Sequence, residues 1–506
     1  MKRPSLLLSI APLLFLIAII AITVPLFGDE ITDGPAQIAL LSAALLTMLI
    51  SLLFLRVSWE RIEACMLDQL SKTGSALFIL LMIGALTGSW MQSGIVPTMI
   101  YYGMKLIHPS VFLMITFVLA AIISLMVGSS WTTIGTIGVA MLAAGQILGF
   151  SAPWLAGAVI SGAYFGDKVS PLSDTTNICA SVAGISLYKH VHYQLYSAVP
   201  AFLLSLLFFG IAGFLIPTAA TVDISAKTEA LQQTFRLSPW FLLVPAFTIF
   251  LMIKKVPPFL TLFISAIIGA IVAVVFQPEL SRQMVQHTQE AGGAKQALEA
   301  GLRMLSGKVQ VETGNELLNK LTSTRGMSGM LNTVWLIFCV VAFGGAMEAS
   351  GKIRVITEHL ARLMRNTISL VSSTVCTSIF FNLTLSDQYM SLVLPGRMFS
   401  ETYKKSGHAP ELLSRSIGDS GTVTSVLVPW NTCGIVQANV LQVATLSYLP
   451  YCFFNLITPV ITIIIATIGY KIRRIPCSPN EKNICKGMDN MSTSADKGIS
   501  PIIHNS

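Results

Sequence analysis

The chain has 506 residues, of which 53% are hydrophobic and only 11% are charged, and its formal net charge is +8. Soluble globular domains carry about a quarter charged residues, so this composition, with a mean hydropathy of +0.72, excludes a soluble protein and predicts an integral membrane protein. The basic residues lie mostly in short loops and near the C-terminal end, where they set membrane topology. The net charge therefore does not indicate a nucleic-acid partner.

Apolar runs recur along nearly the whole chain and predict a bundle of spanning helices, because a span needs about 20 apolar residues. The first run follows Lys2 and Arg3 without a small-residue cleavage site, which predicts a retained span. Two zones, 110–190 and 368–443, are apolar but interrupted by Ser, Thr, Gly, Asp, Asn and Pro. The predicted spans cover residues 5–27, 36–55, 74–93, 194–217, 239–253, 259–276, 331–350 and 446–470.

The distribution of Lys and Arg predicts the direction in which the chain crosses the membrane. Lys2 and Arg3 place the N-terminus in the cytoplasm, and the acidic loop 28–35 then lies outside. The same alternation places the polar insertion 278–330 outside. The basic tail 471–506 is expected to be cytoplasmic and disordered.

The second part of the chain repeats the order of polar stretches found in the first. Residues 127–145 correspond to 381–399, and 163–177 correspond to 415–431, where each copy has a Gly-Asp pair followed by Pro and Asn. The stretch after the span that ends in MQSG (91–94) holds a single basic residue, Lys105, whereas the stretch after the span that ends in MEASG (347–351) is rich in Lys and Arg. Equivalent segments therefore prefer opposite sides of the membrane. We predict an all-α polytopic transporter with two inverted repeats, each with a re-entrant hairpin or span pair and a broken helix. The predicted units, namely first repeat, connecting loop, second repeat and tail, are residues 1–217, 218–238, 239–470 and 471–506.

Helix breaks in both zones are predicted to place oxygen-rich groups inside the membrane. An unpaired backbone N–H or C=O in hydrocarbon costs several kcal/mol, so a helix breaks only where protein or water satisfies the freed groups. Pro171 removes a donor, and Gly128, Gly135 and Gly138 loosen the first hairpin. Freed carbonyls, hydroxyls and half-helix ends are suited to a small cation. The four predicted clusters are Ser129, Ser130, Thr132 and Thr133; Asn382, Thr384, Ser386 and Asp387; Asp167, Ser173, Asp174 and Asn177; and Asp419, Ser420, Thr422, Thr424 and Asn431.

Four acids at these breaks, Asp167, Asp174, Asp387 and Asp419, predict what the protein carries. A carboxylate in a wet intramembrane cavity can hold either a proton or Na⁺, and exchanging the two is antiport. Lys168 is expected to be the salt partner of Asp167 or Asp174, or else a contact for an anionic substrate. Asp387 has the alternative role of capping the second arm of its hairpin.

Three strings carry a resemblance to a known family: GSSWTTIGTIG, SGAYFGDKVSPLSDTTN and GDSGTVTSVLVPWNTCG. They resemble the NhaC-type Na⁺/H⁺ antiporters, and the likeness runs from about residue 10 to residue 470. The hairpin and broken-helix pairs are more distantly similar to those of the ion transporter superfamily. The resemblance implies Na⁺ exchange for H⁺ by alternating access in the bacterial cytoplasmic membrane, with no cofactor and no catalysis.

Two alternatives stay open at this point. An organic-anion exchanger of malate/lactate type, which some members of the family are thought to be, shares the fold, and Arg397 is the candidate carboxylate contact. An intramembrane aspartyl protease is suggested by Asp167 and Asp419, but such enzymes use Gly-x-Gly-Asp, whereas the strings here are YFGD and SIGD. Li⁺ is a further candidate substrate beside Na⁺, protons and a small carboxylate, and a homodimer in the lipid bilayer is a candidate assembly.

Overall fold

The computed structural model describes residues 3–27, 34–216, 224–285, 293–307, 319, 323–361, 366–385 and 387–475. Regular secondary structure within these residues is helical, apart from isolated bridges such as the antiparallel one between His408 and Arg474. The predicted all-α fold is confirmed. The predicted ligand Ser386, the acidic loop at 28–33 and the tail from residue 476 lie outside the described residues.

Helices of the first half follow the apolar runs, and two of those described start at proline, which is suited to the first helical position because that position needs no N–H donor. Pro109 begins one such helix, and its C-terminal cap is Gly128 in the left-handed conformation (φ 73°). The helices are α1 (Leu6–Phe27), α2 (Pro35–Leu53), α3 (Trp59–Gln92), α4 (Ile95–Leu106), α5 (Pro109–Val127), α6 (Ser130–Thr133), α7 (Val139–Ile147), α8 (Ala152–Val169), α9 (Asp174–Ala183), α10 (Leu187–Leu215) and α11 (Ile224–Thr234).

The second half includes the polar insertion, whose helix α15 (Gly293–Ser306) packs against α3 and α13 (Pro258–Phe276). A π segment (Gly418–Thr422) and a 3-10 turn (Ser425–Leu427) separate α20 from α21. The helices are α12 (Leu243–Ile253), α13 (Pro258–Phe276), α14 (Pro278–Gln283), α15 (Gly293–Ser306), α16 (Leu331–Ala349), α17 (Lys352–Ala361), α18 (Thr367–Thr384), α19 (Gln388–Lys405), α20 (Pro410–Ile417), α21 (Thr432–Leu441), α22 (Thr445–Tyr448) and α23 (Phe453–Ile468).

Eight helices of the described residues are long and apolar enough to cross a membrane, or up to ten if two bent pairs each count as a span. The predicted spans 239–253 and 446–470 belong to those pairs, which bend by 88° and 57°. Two of the eight, α5 and α18, come from the zones that the sequence marks as irregular, so the first arm of each hairpin is itself span-length. The protein is an integral membrane protein.

The two halves present the same order of elements. In the first, α3 and α4 lead to α5, the hairpin arm α6–α7, the broken helix α8/α9 and α10. In the second, α16 and α17 lead to α18, the arm α19, the interrupted helix α20/α21 and α23. The inverted relation between the halves stays a prediction. What matters for the site is that α9 packs against α19 and α20, and α8 against α23, so the first break adjoins the second half.

Close backbone approach joins α5 to α8. Gly162 and Gly166 are four residues apart on α8, the spacing that lets two membrane helices meet without intervening side chains. A Cβ on Gly162 would lie 2.2 Å from the Phe117 carbonyl oxygen, and one on Gly166 would lie 2.4 Å from the Leu125 nitrogen. This contact holds the end of α8, and therefore the break that follows it, against α5.

We expect Gly162→Ala to lower stability by about 1–3 kcal/mol, because the added methyl group forces α5 and α8 apart. The measurement is the thermal unfolding midpoint of the purified protein in detergent. Gly74→Ala in α3 is the matched control, since a Cβ there meets nothing within 4 Å. Its expected effect is a small stabilisation, because alanine favours helix over glycine by about 1 kcal/mol. Equal midpoints for both variants would contradict the close-packing account.

Candidate ion-binding site

The broken helix of the first half restarts at a side-chain cap. α8 ends at Val169 and α9 begins at Asp174, with Pro171 in the turn between them. Ser173 is the N-cap of α9, and its hydroxyl accepts a hydrogen bond from the Thr175 backbone N–H (3.2 Å). Proline brings no N–H into the turn, and the cap satisfies one of the free helix donors. The break therefore leaves few backbone groups without a partner.

The broken helix of the second half restarts in the same way after a longer interruption. Asn431 is the N-cap of α21, and its side-chain oxygen accepts a hydrogen bond from the Cys433 backbone N–H (3.0 Å). Pro429 again lies in the turn before the cap. Each half thus uses Pro and a polar cap to stop and restart a helix inside the bundle.

The two Gly-Asp pairs that match in sequence lie at different distances from these breaks. Asp167 is six residues before its cap, Ser173, whereas Asp419 is twelve residues before Asn431. The π segment and the 3-10 turn account for the added length in the second half. Asp167 therefore lies close to its break. Asp419 lies further before its own break and contacts other residues.

The tip of the first hairpin touches the first break. Ser129 caps α6, accepting a hydrogen bond from the Thr132 N–H (3.3 Å), and Gly128 before it has a left-handed backbone (φ 73°). A Cβ on Gly128 would lie 2.7 Å from the Leu172 carbonyl carbon. Only glycine satisfies both the backbone conformation and the close approach.

Asp167 joins the hairpin to the break. The Ser130 hydroxyl donates to Asp167 Oδ2 (2.7 Å), and the Ser173 hydroxyl donates to Oδ1. Ser173 also contacts the Thr175 hydroxyl (2.9 Å). The carboxylate is buried and lies where α6 and α9 begin, and helix N-termini favour negative charge. This arrangement holds a carboxylate inside the bundle by hydroxyls from both the hairpin tip and the break.

The corresponding region of the second half is held by neutral amides. Asn382 donates to the Gly421 carbonyl (2.9 Å) and to the Thr424 hydroxyl (3.0 Å). Asn431 donates to the Asn382 carbonyl (3.1 Å). All of these side chains are buried, so the hydrogen bonds are needed to satisfy them. Here the hairpin and the break are connected without a carboxylate.

A second charged cluster links the two halves. Lys168 Nζ lies 2.5 Å from Asp419 Oδ1, and both side chains are fully buried. Thr462 donates to Asp419 Oδ2, and Arg415 Nε lies 4.0 Å from the same oxygen. The sequence predicted Asp167 or Asp174 as the partner of Lys168, and the partner is instead Asp419 of the other half. Asp167 and Lys168, adjacent on α8, therefore belong to two different clusters.

Several residues that the sequence predicted as ion ligands are not hydrogen-bonded to Asp167. Asp387 caps α19 by accepting from the Met390 N–H (2.8 Å), the alternative that the sequence left open. Asp174 and Asn177 are exposed rather than buried with Asp167. The Thr422 carbonyl accepts from Gln388. The remaining hydroxyls donate to carbonyls or hydroxyls of their own local segment: Thr132, Thr133, Thr384, Ser420 and Thr424.

Arg415 and Thr462 are contacts of the charged cluster that sequence reasoning missed. Arg415 lies four residues before Asp419, a spacing that places two helical side chains on one face, and this was the available signal. Arg397, the arginine that the sequence singled out, is exposed on α19. Thr462 lies on α23, far along the chain, and carried no local signal.

The arrangement does not supply a carboxylate dyad of the protease kind, in which two acids share a proton. Asp167 is bonded by two serines and Asp419 by Lys168 and Thr462, so the two acids have separate partners. Among the described residues, no group of three or more His, Cys, Asp and Glu side chains could hold a metal ion. What the site offers is a hydroxyl-lined carboxylate beside a helix break.

A polytopic helical bundle with a broken helix in each half, and with a buried carboxylate beside one of the two breaks, defines the class of secondary membrane transporters. Residues 162–470, which contain most of the candidate site, match the profile of the Na⁺/H⁺ antiporter family. The chain belongs to this family.

Relatives that match nearly the full length of the chain are named for different substrates. The Na(+)/H(+) antiporter NhaC of Alkalihalophilus pseudofirmus is 34% identical over 429 residues, covering 85% of this chain and 89% of its own. The malate-2H(+)/Na(+)-lactate antiporter of Bacillus subtilis is 34% identical over 441 residues, covering 86% and 90%. The arginine/ornithine antiporter ArcD of Halobacterium salinarum is 30% identical over 475 residues, covering 93% of each. Identity alone therefore does not select the cargo.

Proposed function

We propose that this protein exchanges Na⁺ for H⁺ across the cytoplasmic membrane of a bacterium by alternating access. The observation that carries the proposal is the environment of Asp167, whose two carboxylate oxygens are held by hydroxyls from the hairpin tip and from the break. No Lys, Arg or His of the described residues forms an ion pair with it. A buried carboxylate without a fixed cation is suited to a mobile one.

The groups around Asp167 are those that bind Na⁺ well. Na⁺ in membrane carriers is coordinated by carboxylates, hydroxyls and carbonyls of unwound helix segments. Ser130, Ser173 and Thr175 supply hydroxyl oxygens within one hydrogen-bonded group, and hydroxyls can rotate to present a lone pair in place of the proton. These residues and Asp167 form the proposed cation site. Asp174, Asp387 and Asp419 are not required for it.

Exchange follows from the presence of one negative charge in a buried place. An uncompensated carboxylate inside the membrane is costly, so Asp167 is stable only with Na⁺ or a proton bound. One carboxylate cannot hold both, and the binding of one therefore requires the release of the other. This competition supplies the coupling without any further carrier residue.

The Lys168–Asp419 ion pair is proposed to couple the binding of Na⁺ or a proton at Asp167 to movement of the second half. Lys168 follows Asp167 directly on α8, and it is bonded across to the other half. A displacement of the α8 end on exchanging Na⁺ for a proton would move Lys168 against Asp419. The first and second repeats are proposed to rock against each other about this contact, with both termini in the cytoplasm.

The test is a proton-flux assay on the full-length protein in proteoliposomes with an internal pH dye. An outward Na⁺ gradient is expected to acidify the lumen, and choline chloride at the same ionic strength is expected to give no signal. Protein-free vesicles control for leak, and circular dichroism of the same preparation verifies the helical fold. Sealed vesicles with folded protein and no Na⁺-dependent proton movement would contradict the proposal.

A further inference from the structure

Arg415 is a fully buried cation that makes no hydrogen bond to the described residues through its side chain. None of its three guanidinium nitrogens has a hydrogen-bond partner among the described residues. Its guanidinium carbon lies 4.7 Å from the centre of the Tyr193 ring, and its Nε lies 4.0 Å from Asp419. Arginine is almost never fully buried unless it is paired. A buried, unbonded guanidinium therefore indicates a ligand.

The charges around Arg415 do not balance. Lys168 and Arg415 are both fully buried, and Asp419 is the one acid that forms an ion pair with either of them among the described residues. Asp419 already forms an ion pair with Lys168 and accepts a hydrogen bond from Thr462. His190 is hydrogen-bonded through Nδ1 to Ser414, and its Nε2 atom has no hydrogen-bond partner in the part of the chain that the structure describes. The cluster thus has an excess of one positive charge and free donors.

A basic cavity lies one helical turn from this cluster. It has a volume of about 590 Å³ and is formed by the segment between α9 and α10, the start of α20 and the chain after α23. Lys189, Arg473 and Arg474 line it, with Glu411 as the acid. Glu411 is four residues before Arg415 on α20, and Lys189 precedes His190 on α10. The N-termini of both helices face the cavity and add positive potential.

We propose that Arg415, with Lys168, binds the carboxylate group of a small monocarboxylate that enters through this basic cavity. The planar guanidinium presents paired donors that match a carboxylate, and the single excess charge matches one anion. The inference rests on the proposed transport function in one respect: it makes the organic anion a further substrate of the same carrier. Binding itself is independent of Na⁺/H⁺ exchange.

The test is isothermal titration of the purified full-length protein in detergent with sodium lactate and with sodium acetate, at constant total Na⁺. We expect saturable binding that chloride does not displace, and at least a tenfold loss of affinity in Arg415→Gln. Arg415→Lys keeps the charge but loses the paired donors, so an intermediate loss is expected. The matched control is Lys404→Gln: Lys404 is exposed and forms an ion pair with Glu401, so this variant should bind as the unmodified protein does.

Two results would overturn the inference: equal affinity in Arg415→Gln and the unmodified protein, or chloride binding as tightly as lactate. If Arg415→Gln does not fold, Arg415→Lys decides, because unchanged affinity there excludes recognition by the guanidinium fork. Na⁺/H⁺ exchange without organic anions is measured on the same preparations. Exchange without carboxylate binding refutes this inference alone, whereas carboxylate binding without exchange supports it and refutes the proposed function.

Discussion

Replacing Asp167 with Asn is expected to abolish Na⁺-driven proton movement while leaving the protein folded. Two opposite charges 4 Å apart attract by about 4 kcal/mol at an effective dielectric constant of 20. Removing the carboxylate charge should therefore weaken Na⁺ binding by more than about a hundredfold, since each 1.4 kcal/mol is tenfold. The asparagine is nearly isosteric: one of the hydroxyls of Ser130 and Ser173 can turn to accept an amide hydrogen while the other goes on donating to the remaining oxygen, so the structural cost is small.

The measurement for Asp167→Asn is the initial rate of lumen acidification in proteoliposomes over a series of Na⁺ concentrations. Asp68→Asn is the matched control, because Asp68 is an exposed acid that forms an ion pair with Lys72 on the surface of α3. Surface pairs of this kind contribute little, so exchange in the control should be unchanged. Normal exchange by Asp167→Asn would refute the proposed cation site. The thermal midpoints of both variants show whether a loss of exchange is a loss of folding.

Removing Asp419 is expected to destabilise the protein far more than removing its partner Lys168. Asp419→Asn leaves Lys168 and Arg415 buried without an opposing charge, and breaking a buried pair in this way costs about 3–5 kcal/mol. Lys168→Met instead leaves Arg415 and Asp419, which can pair with each other. We expect the unmodified protein to be the most stable, followed by Lys168→Met and then by the double variant that carries both Lys168→Met and Asp419→Asn. Asp419→Asn alone is expected to be the least stable.

Thermal unfolding midpoints in detergent test this order. The double variant is informative because it leaves only one buried cation, so it should be more stable than Asp419→Asn alone. That rescue by a second substitution is a signature of charge imbalance and does not arise from lost packing. Equal destabilisation by Lys168→Met and Asp419→Asn would show that the pair acts as an isolated bridge and that Arg415 takes no part.

The class of protein and the positions of its breaks could be predicted from the sequence because both depend on local properties. Hydropathy over about 20 residues decides which segments cross a membrane. Pro171, Ser173 and Asn431 stop and restart helices through their own backbone and side-chain chemistry, which needs no distant partner. The grouping of Asp167 with Ser173 belongs to the same short string, and the structure brings them together.

Only the tertiary structure decided which charges meet. Lys168 and Asp419 come from different halves, and their contact depends on how α8 packs against the second half. The extra turns after Asp419 shift it away from the break, so matching Gly-Asp strings do not occupy matching places. The burial of Arg415, and the exposure of Arg397 on α19, likewise follow from helix packing. Local chemistry selects where helices break, whereas long-range packing selects which buried charges find partners.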